Sequence, residues 1–360
     1  MRKYIYKFGL TLLITFHLVN IFNWLNLHVW PVGKDCFRHL YNVSYMLNSE
    51  HIWKNLLFVD MDYPPFYYWT AMVLMKIFSG SYQAVFLNST LFLMFLILAT
   101  YGIGKKLKNK QVAFLAACIC VLFPSVYKGS IQFNLELSSA AMTSLIIYNI
   151  LASDAFNDRF YSFLVGVTLG FGLLTRAFIP LFIIGPTIFI LFDFKRKQHE
   201  SGRLLKKQQL INIAIAFCVS IGIGFIFYHT PEAFTSIVQR TSYEGKIAET
   251  SIFSKTHLLF YARSLPEQIG IWGTIAFLIS FYGFLKMPLF IKQLLISWIL
   301  LPYVVLSFIF LKHTEYTMPY LPAVALIIAL TIDKIKPELI KKSVATLVIV
   351  IGFCQYFKNF

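Results

Sequence analysis

Four places in the chain hold polar residues of the types that do chemistry. The first is Gly33-Lys34-Asp35-Cys36-Phe37-Arg38-His39-Leu40, where Asp35 is followed one helical turn on by Arg38 and His39. A carboxylate kept ionised by such neighbours can take the proton of an attacking hydroxyl. The plainer reading is a solvated loop acid or a partner of Arg38. The second is Val59-Asp60-Met61-Asp62-Tyr63-Pro64-Pro65-Phe66-Tyr67-Tyr68-Trp69. Asp62 stands before the prolines as a cap or turn residue, and a site role competes with that reading. The third is Gln132-Phe133-Asn134-Leu135-Glu136-Leu137, with Arg176 later in Leu174-Thr175-Arg176-Ala177. An ionisable residue at the edge of an apolar run is costly unless it meets a wet cavity or a partner; the alternative is snorkelling to the headgroups. The fourth is Lys312-His313-Thr314-Glu315-Tyr316-Thr317-Met318-Pro319, which with Arg263 could bind an anion. Anchoring to lipid phosphates is the simpler role for any one of these cations. His39, His51 and His257 show no metal-ligand spacing, and Cys36, Cys118, Cys120, Cys218 and Cys354 form neither a metal motif nor a disulfide framework. No cofactor is expected, and a divalent metal has no support from ligand spacing.

The elements that hold these residues are membrane helices. Of 360 residues 58% are hydrophobic and 13% charged, against about 25% charged in soluble domains. The mean hydropathy of +0.67 comes from long apolar runs separated by charged stretches. Lipid accepts apolar side chains on every helix face, which the core of a soluble domain cannot do at this scale. The runs are continuous, without the two-residue alternation of a barrel. The expected fold is therefore an all-α polytopic membrane protein of about eleven transmembrane helices. The spans are 8–27, 82–103, 112–127, 135–152, 160–174, 177–193, 209–228, 269–286, 293–311, 317–332 and 343–358, with 160–193 open to being one helix broken near Arg176. Residues 1–358 read as one transmembrane domain.

The net charge of +16 would suggest nucleic acid in a soluble protein. Here 20 of the 32 Lys and Arg fall in or beside the N-terminus and alternate short connections, including Lys105–Lys110, Lys195–Lys207, Lys286 with Lys292, and Lys334–Lys342. That positive-inside pattern orients the chain and makes nucleic acid the weaker partner. Met1–Leu27 resembles a signal peptide but is followed by bulky and polar residues, so it is expected to be a retained first span. Two long outer segments remain, 28–81 and 229–268. Both are expected to carry short interfacial helices, and 66–78 reads as one after Pro64-Pro65.

The order of motifs resembles the C-type membrane glycosyltransferases, in particular the branch of protein O-mannosyltransferases and lipid A aminoarabinose transferases. Asp35, Tyr63-Pro64-Pro65-Phe66-Tyr67-Tyr68-Trp69, Leu174-Thr175-Arg176 and Lys312-His313-Thr314-Glu315-Tyr316-Thr317-Met318-Pro319-Tyr320-Leu321-Pro322 occur in that family's order over residues 1–330. The chain departs from it at Cys36, where many relatives have a second acid, and at Tyr63, where a basic residue is usual. Glu315 stands in the place of an Arg, and Arg176 in that of a Lys. The large C-terminal outer domain of some relatives is also not expected.

The resemblance implies inverting transfer from a polyprenyl-phosphate sugar to a lipid, glycan or protein acceptor on the extracytoplasmic face of a bacterial or archaeal plasma membrane. It implies Asp35 as the base, and Lys312, His313 and Arg263 at the leaving phosphate. Asp62, Tyr63, Asn134, Glu136 and Tyr316 would position substrate. A secondary transporter or lipid flippase is the competing class, disfavoured by the absence of repeats, by the few buried charges in mid-span and by polar motifs concentrated in two outer loops. A non-catalytic subunit of a glycan-assembly complex is the third. The orientation has a direct test: single cysteines at Ser49 and Ser242 are expected to react with an impermeant thiol reagent from the side opposite the basic clusters, and labelling from the cytoplasmic side at either would reverse the topology.

Overall fold

The computed structural model describes residues 2–27, 34–48, 63–78, 81–200, 207–229, 253–309 and 312–359, and among these there is no strand. The first span is α1 (Arg2–Leu27), followed by α2 (Lys34–Asn48) and α3 (Phe66–Ile77). The bundle continues with α4 (Gln83–Leu107), α5 (Lys110–Val121), α6 (Pro124–Ser130), α7 (Leu135–Ala152), α8 (Arg159–Leu173), α9 (Ile179–Glu200) and α10 (Lys207–Tyr228). Two single turns, α11 (Lys255–Leu258) and α12 (Phe260–Arg263), lead into α13 (Leu265–Leu285) and α14 (Leu289–Ser307). A 3-10 segment, Thr314–Tyr320, enters α15 (Leu321–Asp333), and α16 (Glu338–Asn359) follows.

Eight helical units, one of them the 3-10 segment joined to α15 (Thr314–Asp333), are long and apolar enough to cross a membrane, and the bent pair α5–α6 passes the same test only with its two arms taken together. The protein is an integral membrane protein, and the expected eleven spans reduce to this count by length and apolarity among the described residues. Helix α8 is apolar but only 15 residues long. Helix α9 carries Asp193, Lys195 and Arg196 in its C-terminal half. The segment expected to be one span over 112–127 turns by 70° at its middle. Phe123 precedes Pro124, and that position is forced out of the helical region (φ −68°, ψ 131°). Pro124 then starts α6, where its missing N–H costs nothing. Residues 160–193 form two helices separated by the turn at Leu174–Phe178. The expected span 293–311 begins earlier, at Leu289, because Pro288 sets the helix start and Lys292 sits in its first turns.

Helix α15 is apolar on every face, and Leu321 through Leu330 are all buried, as suits the centre of the bundle. Helix α16 lies at the periphery, with only 11% of its apolar window buried. Helices α8 and α10 meet where Gly166 lets the backbones touch; a Cβ there would stand 2.6 Å from the Ala216 carbonyl oxygen. Gly270 interrupts α13 at φ 77°, and the Gln355 amide of α16 fills the space a side chain would need.

The short connections 108–109, 286–288 and 334–337 share one end of the bundle, where the Lys334 ammonium donates to the Lys286 carbonyl (2.8 Å). The N-termini of α4, α7 and α15 face the other end, together with α2 and α3. Gly166→Val is expected to destabilise the protein by about 1–3 kcal/mol, because the α8–α10 contact has no room for branching at Cβ. A thermal unfolding curve in detergent would show it as a lower midpoint, and an unchanged midpoint would contradict this packing.

Candidate active site

At the end of the bundle away from the basic connections, backbone groups left over at helix ends join the sequence motifs together. Helix termini expose N–H and C=O groups that need partners. The Phe66 N–H, the first after Pro64-Pro65, donates to the Leu174 carbonyl at the C-terminal end of α8 (2.9 Å). The neighbouring Leu173 carbonyl accepts from the Tyr228 hydroxyl (3.0 Å). The rings of Phe66 and Phe171 lie 4.5 Å apart, centroid to centroid. The Pro-Pro element and the Thr175-Arg176 turn, separated by a hundred residues, are thus one unit.

Arg176 leaves that turn toward α7, and its Nη1 donates to Glu136 Oε1 at 2.5 Å. Their side chains are only 8% and 15% exposed. Each charge sits where its helix favours it: Glu136 in the first turn of α7, Arg176 just beyond the C-terminus of α8. The guanidinium lies 4.6 Å from the Phe178 ring centroid and 5.1 Å from that of Tyr316. Flat aromatic faces suit a planar cation with a diffuse charge better than they would a lysine ammonium.

A second polar contact lies beside the pair. His39 Nδ1 is 2.7 Å from the Tyr68 hydroxyl, and both residues are buried. Burial pushes the Tyr68 phenol well above its ordinary value, against a hydrogen bond from Asn42, so it stays protonated. The His39 ring also meets Tyr63 (5.5 Å) and Phe133 (6.1 Å), and Arg38 lies over the Tyr63 ring at 5.4 Å. Phe133, which the His39 ring meets, stands shortly before Glu136 in the chain, so the two contacts are neighbours. Asn134 precedes α7; its Nδ2 donates to Gln132 Oε1 (3.0 Å), while its own Oδ1 is buried without a hydrogen-bond partner among the described residues.

The structure therefore brings together Tyr63, Asn134, Glu136 and Tyr316, and adds Arg176, His39 and Tyr68. Pairing of Glu136 with Arg176 has no local signal, since forty residues separate them. Tyr68 was legible only as an aromatic in the α3 run. Asp35 stands in the first turn of α2, with its carboxylate outside the described residues; Asp60 and Asp62 lie outside them altogether.

The expected anion-binding residues separate. Lys312 Nζ donates to the Leu306 and Ser307 carbonyls (2.7 and 2.8 Å), closing the C-terminus of α14, and lies 5.1 Å from the Tyr261 ring centroid. Partial burial lowers its pKa to about 8. His313 is exposed, its ring 5.0 Å from Tyr316, and so one residue away from Arg176. Arg263 is exposed on α12, two residues past Tyr261. Thr317, next to Tyr316, donates to Gln268 Oε1 (2.7 Å) and fixes the 3-10 segment to α13.

Comparison with known proteins gives this geometry a context. The sequence profile of the dolichyl-phosphate-mannose-protein mannosyltransferase family matches residues 62–223. No curated protein matches the chain by sequence. Among solved structures, ArnT from Cupriavidus metallidurans bound to undecaprenyl phosphate is similar with a TM-score of 0.71 at 15% identity, over 94% of this chain and 63% of that one. The apo ArnT structure gives 0.68 at 14% identity, over 96% and 63%. The archaeal oligosaccharyltransferase AglB from Archaeoglobus fulgidus, in complex with an inhibitory peptide and a dolichol-phosphate, gives 0.61 at 13% identity, over 98% and 56%. The chain spans less than two thirds of each of these proteins. It carries the fold of the C-type membrane glycosyltransferases.

Removing one member of a buried ion pair strands the other charge, at a cost of about 3–5 kcal/mol. Arg176→Met is expected to destabilise the purified protein by that order, and Glu136→Leu with Arg176→Met to recover part of the loss. Thermal unfolding in detergent measures both, and a single variant as stable as wild type would mean the pair is solvated.

Proposed function

We propose that this chain, built on the C-type glycosyltransferase fold, transfers a sugar from a polyprenyl-phosphate carrier to a hydroxyl-bearing acceptor at the extracytoplasmic face, with inversion at the anomeric carbon. The observation that carries the reading is the convergence of Tyr63, Glu136, Arg176 and Tyr316, from four separate stretches of sequence, on one buried ion pair at the bundle end opposite the basic connections. The undecaprenyl phosphate bound to ArnT and the dolichol-phosphate in the AglB complex support the donor class.

In the reaction the acceptor oxygen attacks the anomeric carbon, the bond to the phosphate oxygen breaks, and polyprenyl phosphate leaves as an anion. Asp35, in the first turn of α2, would take the acceptor proton as the bond forms. Two residues on the same helix, Arg38 and His39, are packed against Tyr63 and Tyr68, which gives α2 a fixed seat on α3. His313 and Arg263, both exposed beside the aromatic wall, would meet the charge growing on the phosphate, with Lys312 adding its positive charge from the end of α14. The ammonium of Lys312 and the guanidinium groups of Arg263 and Arg176 are not equivalent here, since Arg176 is committed to Glu136. The pair would hold Tyr316 and the α7 N-terminus, with Asn134, against the sugar, and Tyr63 would border it on the α3 side; Asp62, next to Tyr63 in the chain, is proposed to help position substrate. The hydrocarbon tail would lie in lipid-facing grooves, which asks nothing of polar groups.

The reading is tested with purified protein and a panel of polyprenyl-phosphate sugars, scoring product formation and anomeric configuration. Inverted product supports it; donor binding or translocation without transfer supports a transporter or a non-catalytic subunit instead. Within that assay Asp35→Asn is expected to keep expression, detergent stability and donor affinity while losing about 10²–10⁴-fold in rate. A well-folded Asp35→Asn protein with near-normal transfer would pass the role of base to Asp62 or Glu136.

A further inference from the structure

The end of the bundle remote from the ion pair carries charge that the proposed reaction does not use. Lys108, Lys286 and Lys292 come close enough to Lys334 to disfavour its protonation, a burden added to that of partial burial. Three of these lysines lie in different connections, after α4, between α13 and α14, and after α15, and Lys292 stands in the first turn of α14. The nearest acids do not neutralise them. Asp333 and Glu338 both pair with Lys341, at 3.6 and 2.7 Å. Three of the four ammonium groups each make one hydrogen bond to a neutral oxygen: Lys286 to the Tyr282 hydroxyl (2.7 Å), Lys292 to the Leu285 carbonyl (3.2 Å) and Lys334 to the Lys286 carbonyl (2.8 Å). An ammonium has three donors, so each of these keeps others for an anion.

A groove of about 860 Å³ lies between α13, α15 and α16, and at one end it reaches Ile335, next in the chain to Lys334 of this cluster. Thr331, Ile335 and Ser280 line its near end, with Lys334 adjoining Ile335 in the chain. From there it runs past Ile275 and Leu347, both exposed apolar side chains, for about 20 Å along α16. Its far end holds one lysine, Lys358. Cationic clusters between transmembrane helices recognise anionic headgroups, and an apolar channel leading away from one accepts the chain attached to that headgroup.

We propose that Lys108, Lys286, Lys292 and Lys334 hold the phosphate of an anionic membrane phospholipid whose acyl chain occupies the groove between α13, α15 and α16. Charge complementarity selects the occupant: four lysines crowd the near end and one stands at the far end. A polyprenyl phosphate lying in the opposite direction would put its phosphate at the other end of the bundle, about 35 Å away along a helix the length of α4.

Native mass spectrometry of the purified full-length protein tests this without reference to activity. The probes are phosphatidylglycerol, phosphatidylcholine and a short polyprenyl phosphate, each supplied in mixed micelles. Phosphatidylglycerol is expected to stay bound in preference to phosphatidylcholine, without displacement by the polyprenyl phosphate. Retention should fall about tenfold or more in the surface variant Lys286→Gln/Lys292→Gln/Lys334→Gln. It should fall also in Ala276→Phe, which narrows the groove and leaves the lysines in place; should that variant fail to fold, the lysine variant decides alone. The control Lys195→Gln/Arg196→Gln should retain lipid as wild type does. Equal retention of the two phospholipids, no loss in the lysine variant, or an equal loss in the control would overturn the site. Displacement by the polyprenyl phosphate would overturn it too, by making the groove a carrier-lipid site.

Discussion

An ion pair buried among membrane helices is expensive to assemble, and the arrangement around Glu136 and Arg176 is organised by that cost. Removing two charges from water is not repaid by their attraction alone; the remaining donors and the flanks of the guanidinium need partners as well. Here Phe178 and Tyr316 cover the faces of Arg176, and opposite helix termini place each charge in a favourable field. The pair in turn fixes the positions of three elements that have no direct sequence neighbourhood: the α8–α9 turn, the N-terminus of α7 and the 3-10 segment before α15. Helix α3 is joined to the same turn by the Phe66–Leu174 hydrogen bond, and α2 to α3 by His39 and Tyr68. A loss at the pair is therefore transmitted to every wall of the candidate site.

Much of the architecture could be read from residue types because the bilayer imposes simple rules. The Pro64-Pro65 sequence led to a helix expected at 66–78 and found at Phe66–Ile77. Arg176 marked a chain break between apolar runs, and two helices separate there. The break at Phe123-Pro124 was missed, since hydropathy averages across a bend that one proline imposes on its predecessor. The site was legible as a set of motifs and not as a set of contacts. Tyr63, Asn134, Glu136 and Tyr316 were each visible, yet which cation would meet Glu136 depended on helix packing that no local pattern encodes. Lys312 shows the converse. Its type and position suggested a phosphate ligand, whereas the unpaired carbonyls ending α14, invisible in a sequence, take up most of its ammonium.

The two ends of the bundle also differ in how they hold charge. At the site end, charge is buried, paired and bordered by aromatic rings, which gives a fixed geometry for a reacting group. At the other end Lys108, Lys286 and Lys334 are exposed and, with half-buried Lys292, crowd one another, which suits a mobile anion supplied by the membrane. Helices such as α4, α7 and α15 begin at the first end and finish at the second. A change in lipid occupancy at the basic end would thus act on the same rigid elements that carry the site.

In the proposed sugar transfer Glu136 and Arg176 act as one unit. A double-mutant cycle on the transfer rate measures that directly, using Glu136→Gln, Arg176→Gln and the double variant with a polyprenyl-phosphate sugar and purified protein. The account predicts strong coupling, with the double variant no slower than the worse of the two singles. Independent effects, in which the two losses multiply in the double variant, would contradict it.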